Sequence, residues 1–198
     1  MNTIINIFEK YNGRLTTKHL KKYRIGMRSL NKAIKDGIIE RTKRGLYKLK
    51  DYPEDENSSF VDICMANKKA VICLLSAASY YELTTYNPKV NDVAVPNNAN
   101  IFKLEYPPIH VYYFINKYYE PAIETVKAIN GEFRIYNKEK TIGDLFRYKN
   151  KIGDDVAIES LKNYLKDKKS CNIPKLLEYA KICGSLKTIV PIIRVILL

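Results

Sequence analysis

The stretch MRSLNKAIKDGIIERTKRGLYKLK, residues 27–50, decides the fold. Its first nine residues set Met27, Leu30 and Ile34 on one stripe with Ala33 beside them, and Arg28, Asn31, Lys32 and Lys35 on the other side. That spacing predicts an amphipathic helix over 27–35 with Met27 facing inward. Asp36-Gly37 stops it, because glycine takes the left-handed conformation that closes a helix C-terminus. The rest reads as a hairpin, with strands over 38–41 and 46–49 and a turn over 42–45.

Upstream, TIINIFEKY (3–11) places Ile4, Ile7, Phe8 and Tyr11 on one helical stripe. The breaker pair Asn12-Gly13 follows, and Thr16 or Thr17 can cap a short second helix through KHLKKY. Gly26 then permits a tight turn into the third helix. Three helices and a hairpin within residues 1–50 predict a winged helix-turn-helix.

Charge follows the same division. The 198 residues carry a net +13. Residues 1–50 hold nine Lys and five Arg against Glu9, Asp36 and Glu40, a balance of +11. Such a bias favours a polyanionic partner, here DNA or RNA. A recognition helix fits the roughly 12 Å major groove, where Arg grips guanine and Asn grips adenine with paired hydrogen bonds. Arg28, Ser29, Asn31, Lys32 and Lys35 are the candidate base and phosphate contacts. Lys18, Lys21 and Lys22 on the second helix add positive charge, as do Arg41, Lys43 and Arg44 on the hairpin. Lys43-Arg44-Gly45 suits a wing tip, since glycine permits a close approach and the cations replace condensed counterions. His19 is expected to be a partly exposed bystander.

Residues 51–59, DYPEDENSS, are acidic and aperiodic and read as a linker, leaving 60–198 as a larger mixed α+β domain. Helices are expected at 58–67 and 76–82, with AVICLL between them either strand or helix. Strands are expected at 90–96, 109–115, 124–129 and 132–137, the last pair meeting at Asn130-Gly131. Helices gather at the end, closing on KTIVPIIRVILL as a buried terminal helix. The fold class is α+β.

Several classes are disfavoured. No signal peptide and no membrane span is recognisable, and a cytoplasmic location without a membrane partner is expected. Cys64, Cys73, Cys171 and Cys183 form no C-x-x-C pair, so reduced, buried thiols are expected and zinc is not. No phosphate-binding, dinucleotide or metalloprotease motif occurs, and two histidines supply a triad poorly. Asp92 and Glu132 lack the lysine of a nuclease E-x-K arrangement and read as surface carboxylates. Alternation makes half of the aromatic run IHVYYFI core. Neither cofactor nor enzymatic activity is expected.

Beyond residue 60, VICLLSAASYYELTTYNP, VNDVAVP and EKTIGDLFRYKNKIGDDVAIESLKNYL, with the earlier RGLYKL, resemble the AbiEi antitoxins of bacterial abortive-infection systems. The matching positions are Ser76, Ala77, Tyr80, Thr84 and Thr85, and then Lys140, Thr141, Asp144, Arg147 and Lys149; no catalytic role comes with them. The resemblance implies a bifunctional protein without a cofactor. Its N-terminal domain would bind inverted repeats in promoter DNA and repress its own operon. Its C-terminal domain would counter an AbiEii-like nucleotidyltransferase toxin without a stable complex, the type IV arrangement. Lys138, Lys140, Arg147, Lys149 and Lys151 crowd one neighbourhood, either a patch for RNA, nucleotide or the toxin's substrate, or a solvated basic face. The rival readings are a nucleic-acid-processing enzyme and a ligand-sensing regulator.

Overall fold

A computed structural model describes residues 2–197. The chain divides into two units. Unit 1 comprises Met1–Lys68, Lys103–Pro108 and Val126–Phe133, and unit 2 the remainder.

Unit 1 opens with α1 (Asn2–Lys10), β1 (Arg14–Thr16), α2 (Thr17–Lys22) and α3 (Met27–Lys35). There follow β2 (Ile39–Lys43), β3 (Leu46–Leu49) and α4 (Ser58–Ala66). The three strands form an antiparallel sheet in the order β1-β3-β2. Three residues are too few for an alternating pattern, which is why β1 escaped the sequence reading. Phe8, Leu15, Leu20, Leu30, Ala33, Ile39, Tyr47 and Leu49 make the core.

Two expectations fail here. Met27 is 57% exposed, because it sits one turn ahead of Leu30, beyond the end of the core that Leu30 and Ala33 close. Thr42 and Lys43 belong to β2, which bulges between Arg41 and Lys43, so the hairpin turn contracts to Arg44-Gly45.

A buried ionic cluster crosses unit 1. Arg14, 1% exposed, makes two hydrogen bonds to Asp62 and a third to Glu54 at 3.1 Å. In the orientation that satisfies its amide, Asn130 accepts from Arg14 Nη1 at 2.7 Å and from Ser58 Oγ at 2.6 Å. Lys48 pairs with Glu54 at 3.1 Å. The acidic 51–59 stretch thus neutralises cations of the sheet, and Asp55 orders the start of α4 by accepting from Asn57 N–H at 3.0 Å.

Unit 2 is built on β4 (Val71–Ile72), α5 (Leu74–Tyr80), β5 (Asn91–Pro96), β6 (Ile109–Phe114) and α6 (Asn116–Tyr119). β7 (Ile123–Ala128) and β8 (Gly131–Tyr136), whose turn-side halves over Val126–Phe133 are counted with unit 1, complete a sheet in the order β6-β5-β4-β8-β7. β5 runs parallel to β6 and antiparallel to β4. AVICLL is therefore strand first and helix second. Then come α7 (Lys138–Arg147), α8 (Lys149–Ile152), α9 (Asp154–Lys166), α10 (Ile173–Cys183) and α11 (Leu186–Leu197).

The centre of unit 2 is α7, packed against α5, α9 and α10. Gly143 lets α10 approach closely, since a Cβ there would stand 3.0 Å from Cys183 Sγ. Asn137 caps α7 by accepting from Lys140 N–H at 2.9 Å. The last helix is buried on one face alone: Ile189 and Ile193 are inside, whereas Val195 is 75% exposed. None of the four cysteines is in a disulfide; three are buried and Cys171 is half-buried. No helix among the described residues is long and apolar enough to cross a membrane.

Candidate nucleic-acid interface

Each of the first three helices ends in the same way, and this sets how the cations are displayed. Ile25 N–H reaches Leu20 C=O at 2.9 Å and Arg24 N–H reaches Lys21 C=O at 3.1 Å, with Arg24 left-handed at φ +52°. That Schellman closure reverses the chain within four residues and launches α3 from Gly26. With Leu30 and Ala33 buried beneath it, α3 presents Arg28, Ser29, Asn31, Lys32 and Lys35 to solvent. Lys18, Lys21 and Lys22 of α2 are exposed, as are Arg41 and Arg44, whereas Lys43 is half-buried.

The hairpin tip is tied to the start of α2. Thr17 donates its N–H to Gly45 C=O at 2.9 Å, and its hydroxyl lies 3.3 Å from the same oxygen. Gly45 has φ +87°, and a Cβ there would fall 2.6 Å from Thr17 Oγ1. The close approach that this glycine permits is made to the protein's own backbone.

Other contributors to this surface were missed. Lys10 of α1 and Lys22 of α2 converge on the Tyr23 ring, at 5.9 and 5.6 Å. The Tyr11 hydroxyl bond, with help from these ammonium groups, pulls the Tyr23 phenol below its ordinary range. Only three-dimensional convergence reveals Lys10, which lies outside the spacing of the helical pair. His19 is structural: it stacks on Tyr11 and its Nδ1 accepts from Thr16 N–H at 3.2 Å. Arg14 and Lys48, counted in the basic excess, are neutralised internally.

The cations of α7 and α8 do not form one solvated patch. Lys140 is fully buried and bonded to Asp144, also fully buried, one helical turn away. Burial pushes the Asp144 carboxyl up, against the pull of Lys140. Lys138 pairs with Asp167 at 3.7 Å and Lys149 with Asp154 at 3.2 Å. Arg147 lies over the Tyr118 ring, and Lys151 is exposed beside the Tyr148 ring. Identical residue types thus have different fates, set by which helix face meets the core.

Asp92 is likewise no surface carboxylate, whereas Glu132 is exposed. Only 4% of Asp92 is exposed, because β5 is covered on both sides, and burial pushes its carboxyl up to about 6. Its Oδ2 accepts from Leu75 N–H at 3.1 Å, while Oδ1 stands 3.6 Å from Nδ1 of the exposed His110. Leu74 beside it is held at φ +44°, a strained conformation for a leucine. At 3.6 Å this is an electrostatic contact between a buried carboxylate and an accessible imidazole, too long for a hydrogen bond. Among the described residues, no group of three or more His, Cys, Asp or Glu is placed to hold a metal ion.

Comparison with known proteins adds no assignment: no protein-family model matches the chain, and no curated protein does.

Proposed function

We propose that the protein is an autoregulating antitoxin, in which a winged helix-turn-helix in unit 1 binds promoter DNA and unit 2 counters a toxin. One observation carries the DNA reading: α3 offers Arg28, Asn31, Lys32 and Lys35 on an open face while Leu30 and Ala33 anchor it. The exposed Lys18, Lys21, Lys22, Arg41 and Arg44 supply phosphate contacts, which position the helix, and α3 reads the bases. The antitoxin half is supported by the likeness of SAASYYELTT and EKTIGDLFRYKNKIG to the AbiEi family, with an AbiEii-like nucleotidyltransferase as the functional partner.

The test uses the full chain. Binding to the DNA upstream of its gene should fall steeply with salt, with a log-log slope near −5 for about six phosphate contacts. Arg44→Ala should weaken all sequences alike, while Arg28→Ala or Asn31→Ala should cost about 1–3 kcal/mol of discrimination. Salt-insensitive binding overturns the DNA reading. Co-expression with the neighbouring toxin gene should restore growth; failure to do so overturns the antitoxin reading.

The burial of Asp92 beside His110 favours a second reading, a nucleic-acid-processing enzyme. Incubation of the protein with nucleic acid and a divalent metal decides between them: cleavage that Asp92→Asn abolishes would replace the antitoxin assignment.

A further inference from the structure

Most buried or half-buried cations in this protein are committed to a carboxylate: Arg14 to Asp62, Lys140 to Asp144, Lys138 to Asp167 and Lys149 to Asp154. Arg147 departs from this pattern. Its guanidinium Cζ lies 3.5 Å from the centre of the Tyr118 ring, 5.3 Å from that of Tyr148 and 5.6 Å from that of Phe114. Yet among the described residues it makes no hydrogen bond and no ion pair, and its Nη1 is buried without an acceptor. Buried donors in folded proteins are almost always satisfied, and among the described residues Arg147 Nη1 shares this state with only the Thr42 and Ser160 hydroxyls, making it the one charged group so placed.

The Tyr118 ring restrains the guanidinium, and Nη1 is left without an acceptor. An arginine fixed this way is pre-organised for a planar, two-pronged hydrogen bond to an oxyanion, because little rotamer freedom remains to be lost. The nearest acid in sequence, Asp144, feels the Arg147 charge but hydrogen-bonds to Lys140 and to the Cys183 thiol at 3.3 Å instead. Two further cations flank the same rings: Lys117 stands 5.6 Å from Tyr118 and Lys151 5.8 Å from Tyr148, both exposed. Three positive charges along two rings match a dianion better than a single carboxylate.

We propose that Arg147, flanked by Lys117 and Lys151, is the centre of an anion site in unit 2 whose ligand is a small phosphate ester. The guanidinium edge receives two phosphoryl oxygens, and the lysines balance the second charge. The site goes beyond the DNA reading and stands independently of it.

Titration calorimetry on the full chain tests this with inorganic phosphate, ribose 5-phosphate, AMP and adenosine. The three phosphorylated probes should compete for one saturable site, and adenosine should not bind. AMP and ribose 5-phosphate of equal affinity would identify the ester group as the recognised feature; AMP at least tenfold tighter would identify a nucleotide. Arg147→Lys, which keeps charge and removes the fork, should weaken phosphate binding at least tenfold while promoter-DNA affinity is retained. Lys117→Ala with Lys151→Ala, both at exposed positions, should weaken it at least threefold and guards against misfolding of the arginine variant. Absence of saturable binding by every phosphorylated probe overturns the proposal, as does unchanged affinity in the lysine double variant or in a folded Arg147→Lys protein.

Discussion

Asp92 couples unit 2 to pH in an unusual direction. Its carboxyl is raised to about 6 in the folded chain, against 3.8 for the ordinary group, with burial as the main cause. The folded state therefore binds the proton more tightly than the unfolded one, and stability falls as pH rises from about 4 to 6. At about 1.4 kcal/mol per pK unit, the cost reaches about 3 kcal/mol at neutral pH. Asp92→Asn should flatten this part of the profile, checked by urea unfolding at intervals from pH 4 to 7; an unchanged slope would place the titration elsewhere. A second residue-scale effect lies in the helix ends. Arg24 and Glu82 hold left-handed positions, at φ +52° and +55°, where glycine carries no steric penalty. Arg24→Gly and Glu82→Gly should each stabilise the protein by about 0.5–1 kcal/mol in the same assay, the gain being reduced by the freer unfolded chain. Neither feature could be read in advance. An aspartate in a strand and a lysine on a helix look alike in sequence whether they meet solvent or the core, and Asp92 and Lys140 were misjudged for that reason.

Among the elements, the hairpin and α3 were legible because glycine, alternation and helical spacing are local signals. The range of α3, Met27–Lys35, and its stop at Asp36-Gly37 followed from the pattern. Its first residue did not, since whether Met27 packs depends on how far the core extends beneath the helix. Under the proposed function, an exposed methionine at the start of α3 suits apolar contact with a thymine methyl. Replacing thymine by uracil at the contacted position should weaken binding roughly fourfold, about the 0.8 kcal/mol of one buried methyl-sized group. With Met27→Ala, that difference should vanish in a competition binding assay. The role of Gly45 belongs to this scale too. Gly45→Ala puts a side chain at φ +87° and 2.6 Å from Thr17 Oγ1, so it should destabilise by about 1–2 kcal/mol and loosen the hairpin from α2. Thermal unfolding, together with loss of protection at the Thr17 amide in hydrogen exchange, would measure both effects.

On the scale of the molecule, helical spacing and alternation along the chain pointed to an α+β protein, which it is, and composition located most of the charge in the first 50 residues. What composition could not supply is the company Arg14 keeps. Its partners come from positions 54, 62 and 130, separations over which no periodicity operates. A fragment ending at residue 50 keeps every cation of the proposed interface but lacks Asp62, Glu54 and Asn130. Leaving a buried arginine without its acid costs about 3–5 kcal/mol. That fragment should therefore unfold at lower denaturant than the full chain. In the full chain, Arg14→Met leaves the buried Asp62 without its cation, whereas Asp62→Ala leaves Arg14 its bonds to Glu54 and Asn130, so Arg14→Met should be the more destabilising of the two. Circular dichroism during urea titration distinguishes these cases.

The same long-range cluster has a bearing on synthesis. Arg14 is made early, but Asn130 leaves the ribosome only after two-thirds of the chain has been translated. A prematurely terminated product therefore carries the basic helices without the cluster that completes unit 1. Under the proposed function, control of transcription would be reserved to molecules in which synthesis has already passed through the first two segments of unit 2.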